Sequence, residues 1–158
     1  MRLSPFTAFF AAFALFVGGA ACADHEPDVV ISAALQQDID LPANADTVAV
    51  PVELVFANVG GALVSSEGTF VAPHDGLYAV SATIATDNAG PLDVRLELGQ
   101  RGGPWTPYAA GADPGVIGTI IPLEGGQAVR LVVGTGANPP RLRGGDSPAR
   151  TRLSVHEV

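Results

Sequence analysis

Histidine is the side chain best suited to moving protons near neutral pH, and it occurs three times, at His25, His74 and His156. His74-Asp75 has the composition of half a catalytic triad, but adjacent residues in a turn rarely reach one another productively. No Gly-x-Ser-x-Gly elbow accompanies them, and no histidine pair four residues apart offers a zinc site. Asp87, Asn88 and Asp113 supply oxygen ligands in expected loops, without the Asp-x-Asp ladder of a calcium loop. The glycine-rich pieces 99–103 and 141–145 match neither a Walker loop nor a dinucleotide fingerprint. A non-enzyme without a cofactor is expected, with calcium as the alternative.

Recognition has better candidates than catalysis. Pro104-Trp105-Thr106-Pro107-Tyr108 places the only tryptophan and one of two tyrosines between prolines, which limit the entropy lost on binding. Trp105 and Tyr108 in an exposed loop could stack on a sugar or grip a protein; alternatively, Trp105 folds down over a sandwich edge. Arg141 and Arg143 could meet an acidic partner, or simply be solvated.

The positioning elements begin after a removable leader. Residues 1–23 combine a basic head, an apolar run from Phe6 to Gly19, and small residues at Ala21 and Ala23. That is the pattern of a secretory signal cut between Ala23 and Asp24, and the run is short for a membrane span of about 20 apolar residues. The rival is lipidation at Cys22, the only cysteine, but Gly19 stands where such processing wants leucine. Cleavage after Ala23 leaves no thiol, so the fold must rest on packing or assembly. A plain signal and an arginine-only basic composition fit a bacterial source.

The mature chain would then carry seven arginines, no lysine and sixteen carboxylates, a net charge of −9. Nucleic acid and anionic membrane surfaces are disfavoured partners. Residues 24–94 hold eleven acids and no arginine, whereas 95–158 hold all seven arginines and five acids. This division suggests opposite-charge pairing within or between subunits.

After a polar lead-in at 24–27, short apolar segments alternate with turn residues, the pattern of an all-β sandwich. Strands are expected at 29–35, 47–50, 52–56, 69–72, 77–86, 92–98, 118–122, 128–133 and 151–158. In the segment from Leu92 to Leu98 strict alternation implies one packed and one wet face. The segments 29–35, 77–86 and 131–133 are apolar or uncharged on both faces, which implies a second layer of cover.

One stretch organises these elements. In Gly68-Thr69-Phe70-Val71-Ala72-Pro73-His74-Asp75-Gly76-Leu77-Tyr78, Pro73 ends a strand because it has no N–H to give a ladder. Pro-His-Asp-Gly has the order of a tight turn, with Gly76 free to take a positive φ. The strands on either side are expected to fold back through it.

The pattern G-x-F-x-A-P-x-D-G-x-Y resembles the central motif of the complement C1q/tumour necrosis factor-like family. Phe56, Asn58, Gly60 and Gly61 are similar to that family's approach to the motif, with a compressed Phe-to-Asn spacing. Leu123 to Val129 resembles its L-x-x-G-D-x-V, with Gln127 in place of Asp, and 153–158 resembles a worn terminal strand. The resemblance spans 28–158 and implies a two-sheet antiparallel jelly roll with five strands in each sheet. It also implies a homotrimer, whose axis is lined by the sheet holding the first, last and G-x-Y strands.

The residues of strand 77–86 carry the same expectation independently. Leu77, Ala79, Ser81, Thr83 and Ala85 form an uncharged stripe opposite the core-facing Tyr78, Val80, Ala82 and Ile84. The expected function is a secreted, non-enzymatic binding or structural module that self-associates and meets an extracellular protein or glycan. The alternatives are a monomeric carbohydrate-binding sandwich using Trp105 and Tyr108, and a jelly-roll hydrolase.

Overall fold

The computed structural model describes residues 29–88, 90–111 and 115–158. The leader, its Ala23/Asp24 boundary, Cys22, His25 and Asp113 lie outside the described residues. Eleven strands follow one another: β1 (Val30–Ala34), β2 (Val48–Ala49), β3 (Leu54–Val59), β4 (Leu63–Val64), β5 (Thr69–Val71), β6 (Gly76–Thr83), β7 (Leu92–Gln100), β8 (Trp105–Gly111), β9 (Val116–Leu123), β10 (Gln127–Thr135) and β11 (Arg152–Glu157). A single 3-10 turn, Ser65–Glu67, interrupts them.

Two antiparallel sheets stack into a jelly-roll sandwich. One has five strands in the order β3-β1-β11-β6-β9, and the other has six, β4-β5-β10-β7-β8 in order with the short β2 set against β10 off this path. The expected five-plus-five division is therefore exceeded on one side. The first, last and G-x-Y strands do share a sheet, with β1 and β6 flanking β11.

Between the sheets lies one apolar core. Ile31 and Ala33 of β1, Val80 and Ala82 of β6, Ile117 and Ile121 of β9, and Leu153 and Val155 of β11 meet Val94, Leu96, Val129 and Leu131 opposite. Period-two alternation makes this possible, since each strand sends every second side chain inward.

Several expectations are corrected by the tertiary pairing. The segment 104–108, expected as a loop, enters β8, which pairs with β7 through a register shift at Leu96/Glu97. Pro107 is tolerated because β8 ends the sheet, where one edge of its backbone has no ladder partner. The strands around Pro73 fold back across the core, not as a hydrogen-bonded pair: β5 pairs with β4 and β10, and β6 with β11 and β9. Leu131, Val132 and Val133 are fully buried within the single chain, so their two apolar faces require no partner subunit. Nor is the polar face of β7 wholly wet, because Glu97 is only 5% exposed.

Gly76 has an ordinary φ, contrary to the expected left-handed turn position. Its lack of a side chain is needed for space: a Cβ there would stand 3.3 Å from the Tyr78 ring and 3.2 Å from Glu157 Oε1. The left-handed glycine of the motif is Gly68, at φ 59°, where a Cβ would overlap the Val50 carbonyl oxygen.

Candidate functional site

The outward face of the five-stranded sheet is built by cross-strand register. Ser32 of β1 faces Ala57 of β3 on one side and Ser154 of β11 on the other. Ser154 in turn faces Ser81 of β6, and Ser81 faces Gly118 of β9. A row of small residues therefore crosses all five strands. A Cβ on Gly118 would make only an ordinary 3.8 Å contact with Ser81, so nothing inside the chain demands a glycine there.

The next row reads Val59, Val30, His156, Ala79 and Ile120. Large apolar side chains gather towards the sheet margins, with Val59 53%, Leu77 50%, Ile120 56% and Val116 72% exposed. On the four strands β1, β11, β6 and β9 this face carries no acid, and Arg152 is its one permanent charge. The expected stripe Leu77, Ala79, Ser81 and Thr83 thus belongs to a broader surface that is apolar at its margins and short in side chain at its centre, where Ala79, Ser81, Gly118 and Ile120 line a depression of about 360 Å³. Such a surface permits close approach of another backbone and leaves apolar area in water, about 25 cal/mol for each Å² covered.

The motif residues hold the corner where the chain changes sheets. Phe70 of β5 and Tyr78 of β6 pack with ring centroids 5.2 Å apart. The Tyr78 hydroxyl donates to the His74 carbonyl at 2.9 Å, and the Asp75 carboxylate accepts the Gly125 N–H at 2.7 Å. Ala72 bonds the β10 start in both directions, giving its N–H to Gln127 O and accepting from Gly126 N. At the approach, Asn58 Oδ1 accepts the Leu63 N–H, while Gly60 and Gly61 take positive φ. Burial, and then the nearby Glu157 and Asp75 carboxylates, hold the Tyr78 phenol above its ordinary range.

This geometry also defines what His74 does. Its Nδ1 lies 3.2 Å from the Asp75 backbone oxygen, and its Nε2 lies 3.6 Å from Glu157 Oε2. The Asp75 carboxylate points to Gly125, so the two side chains form no dyad. The ring thus lies between the corner and the last strand.

Trp105 and Tyr108 do not make a common platform. Trp105 stands opposite Gly99 on the outer face of the six-stranded sheet, so close that a Cβ on Gly99 would meet its ring at 3.0 Å. The Arg130 guanidinium lies 4.3 Å from the ring centroid and is held by Glu97, with nitrogen–oxygen distances of 2.7 and 3.0 Å. Tyr108 lines a different depression with Leu98, Pro104 and Gln127. The Glu97–Arg130 pair escaped sequence reading, because its partners are neighbours only through the pairing of β7 with β10.

Arg141 and Arg143 border neither depression. Arg141 is bound to Asp40 at 2.6 and 3.1 Å, and this contact holds the Asp40 carboxyl below the ordinary range. Asp87 accepts the Arg141 N–H. Arg101 likewise grips Glu67 at 2.9 Å and lowers its carboxyl. These two contacts join acids of the first half of the chain to arginines of the second within one subunit. Among the described residues no three His, Cys, Asp or Glu side chains form a group able to hold a metal.

The fold has counterparts among solved structures. The globular domain of zebrafish complement 1qA aligns with 80% of this chain and 94% of its own, at TM-score 0.55 and 11% identity. This chain has the C1q/TNF-like fold. The C1q/TNF-like assignment extends to Eiger TNF from S. frugiperda, covering 84% of this chain and 94% of that one at TM-score 0.60 and 11% identity. Murine APRIL covers 82% and 98%, at TM-score 0.59 and 12% identity. No protein-family model and no curated protein matches the sequence. The C1q/TNF-like likeness is therefore one of fold. No helix among the described residues is long and apolar enough to cross a membrane.

Proposed function

We propose that this C1q/TNF-like domain is a secreted, non-enzymatic binding module that closes into a homotrimer through the outer face of its five-stranded sheet. The observation that carries this reading is the small-residue row Ala57, Ser32, Ser154, Ser81 and Gly118, bordered by exposed Leu77, Ile120 and Val116. A closed ring covers such a face on every copy and leaves no open end to polymerise. Without acids on its central strands, the face can be covered without stranding a buried carboxylate.

The experiment is light scattering of the secreted protein at micromolar concentration, with mass spectrometry of its N-terminus. A trimeric mass and a first residue of Asp24 are expected. A monomer would refute the assembly, and a lipidated Cys22 terminus would place the protein on a membrane. The separate positions of Trp105 and Tyr108 weigh against the monomeric sugar-binding sandwich, which needs both in one groove.

A further inference from the structure

Away from the five-stranded sheet, Tyr108 is the one aromatic ring among the described residues that stands exposed, at 45%. It lies on β8, the edge strand of the other sheet, in a depression of about 440 Å³ on the β7–β8 hairpin. Its position has a local cause. The register shifts between the pairs Leu96↔Ala109 and Glu97↔Pro107, and Tyr108 is the extra residue left without an opposite number. Such a bulge re-aims side chains at a sheet edge. Trp105 serves the depression only indirectly. Its ring packs against Gly99, with the Arg130 guanidinium 4.3 Å from its centroid, and so fixes the start of β8 on the outer face. The next residue, Thr106, pairs with Leu98 and by strand alternation turns the other way, into the depression.

The polar groups of the depression are accessible and uncommitted. Gln100, Thr106 and Tyr108 are exposed, and their side chains make no hydrogen bond among the described residues. Gln127 uses only its amide oxygen, which accepts the Glu124 N–H at 3.0 Å. Amides and hydroxyls, groups that donate and accept, therefore lie about one phenol ring. Leu98, Pro104 and Pro107 supply apolar wall, and the fixed φ of the prolines keeps that wall rigid before any ligand arrives. No charged residue lines the depression. Nearby Arg101 is tied to Glu67, and Glu97 to Arg130. In a chain with sixteen acids and eight basic residues, an uncharged site gives an anion no counter-charge against overall repulsion and gives a cation no partner.

We propose that this depression takes one ring of a neutral glycan, with the sugar's C–H face against Tyr108 and its hydroxyls bonded to Gln100, Thr106 and Gln127. A sugar ring is apolar on its faces and carries donors and acceptors around its rim, which matches an aromatic ring set among amides and hydroxyls. The depression lies within the size range of small-ligand sites, roughly 300–1,000 Å³. A polyproline helix would instead need a groove walled by several aromatic rings, and Tyr108 is the only one lining this depression. The inference rests on the reading of this domain as a binding module and gives its ligand a chemical class. It needs neither Trp105 in the same groove nor assembly, since every lining residue belongs to the six-stranded sheet or its β7–β8 turn, away from the face proposed to be covered.

The test is calorimetric titration of the full secreted protein with neutral hexasaccharides of glucose, mannose, galactose and N-acetylglucosamine, beside hexagalacturonate and a decaproline peptide. Saturable binding of at least one neutral hexasaccharide is expected, unchanged by added salt because no charge takes part. Tyr108→Ala should weaken it about tenfold or more, and Gln100→Ala, which leaves the ring in place, should weaken it by a smaller factor. Arg141→Ser, far from the depression, should leave it unchanged. No binding of any neutral hexasaccharide, preference for hexagalacturonate or decaproline, or full affinity in both Tyr108→Ala and Gln100→Ala would overturn the proposal. Light scattering on the same samples separates the two readings: a trimer that binds none of the sugars sinks this site alone, and a monomer that binds one sinks the assembly alone.

Discussion

The rings of Phe70 and Tyr78 meet at 5.2 Å and 57°, one from each sheet, with only the Ala72–Asp75 corner between their strands. Because both side chains are fully buried, this contact fixes how the chain crosses from one layer to the other. The Tyr78 hydroxyl then closes the corner onto the His74 carbonyl.

Phe70→Ala should cost about 3–5 kcal/mol, from lost transfer energy and an unfilled cavity in a rigid core. Tyr78→Phe keeps the ring and removes only the hydroxyl, so it should cost about 0.5–1.5 kcal/mol, beyond any penalty for the unmatched carbonyl. Urea melts of the two variants measure this ordering. A reversed order would show that the corner depends on the hydroxyl more than on the aromatic contact.

The two motif glycines should fail for different reasons. Gly68→Ala puts a side chain into the left-handed region and against the Val50 carbonyl, so it should abolish folding or lower the melting temperature severely. Gly76→Ala requires Tyr78 and Glu157 to shift by a few tenths of an ångström, a milder loss. Thermal unfolding followed by circular dichroism compares them directly. Equal losses would mean that backbone strain at Gly68 has been relieved by local movement.

Ala79→Glu should dissociate the proposed trimer without disturbing the core. Ala79 lies on the outer face between His156 and Ile120, whereas its neighbours Tyr78 and Val80 face inward. A carboxylate there would be desolvated on every copy. Light scattering should report monomer or aggregate, with the strand signal retained in the far ultraviolet. A variant still trimeric and equally stable would locate the interface elsewhere.

Arg130→Met should destabilise by about 3–5 kcal/mol, because it leaves the buried Glu97 carboxylate without its counter-charge. Adding Glu97→Gln should recover much of that loss, since the stranded charge is removed. A double-mutant cycle in urea provides the check. Independent, additive losses would mean that the pair contributes nothing as a pair.

Local chemistry makes much of this architecture legible in the sequence. Alternation places Leu92, Val94 and Leu96 in the core, and an uncharged second face on 77–83 marks a strand with two environments. Pro73 has no N–H to give a ladder, and β5, paired on both sides, ends before it.

What only the tertiary structure decided is everything that depends on which strands lie side by side. The segment from Trp105 to Tyr108 reads as a loop because proline weakens its strand pattern, but an edge position beside β7 makes it a strand. Glu97 and Arg130 stand 33 residues apart in the chain, and Asp40 and Arg141 stand 101 apart. Their pairing follows from cross-strand register and loop closure, which no local spacing encodes. The same folding assigns a carboxylate to four of the arginines, while Arg143, Arg150 and Arg152 have none among the described residues. Composition sets the number of charges; only the packed chain determines which of them pair.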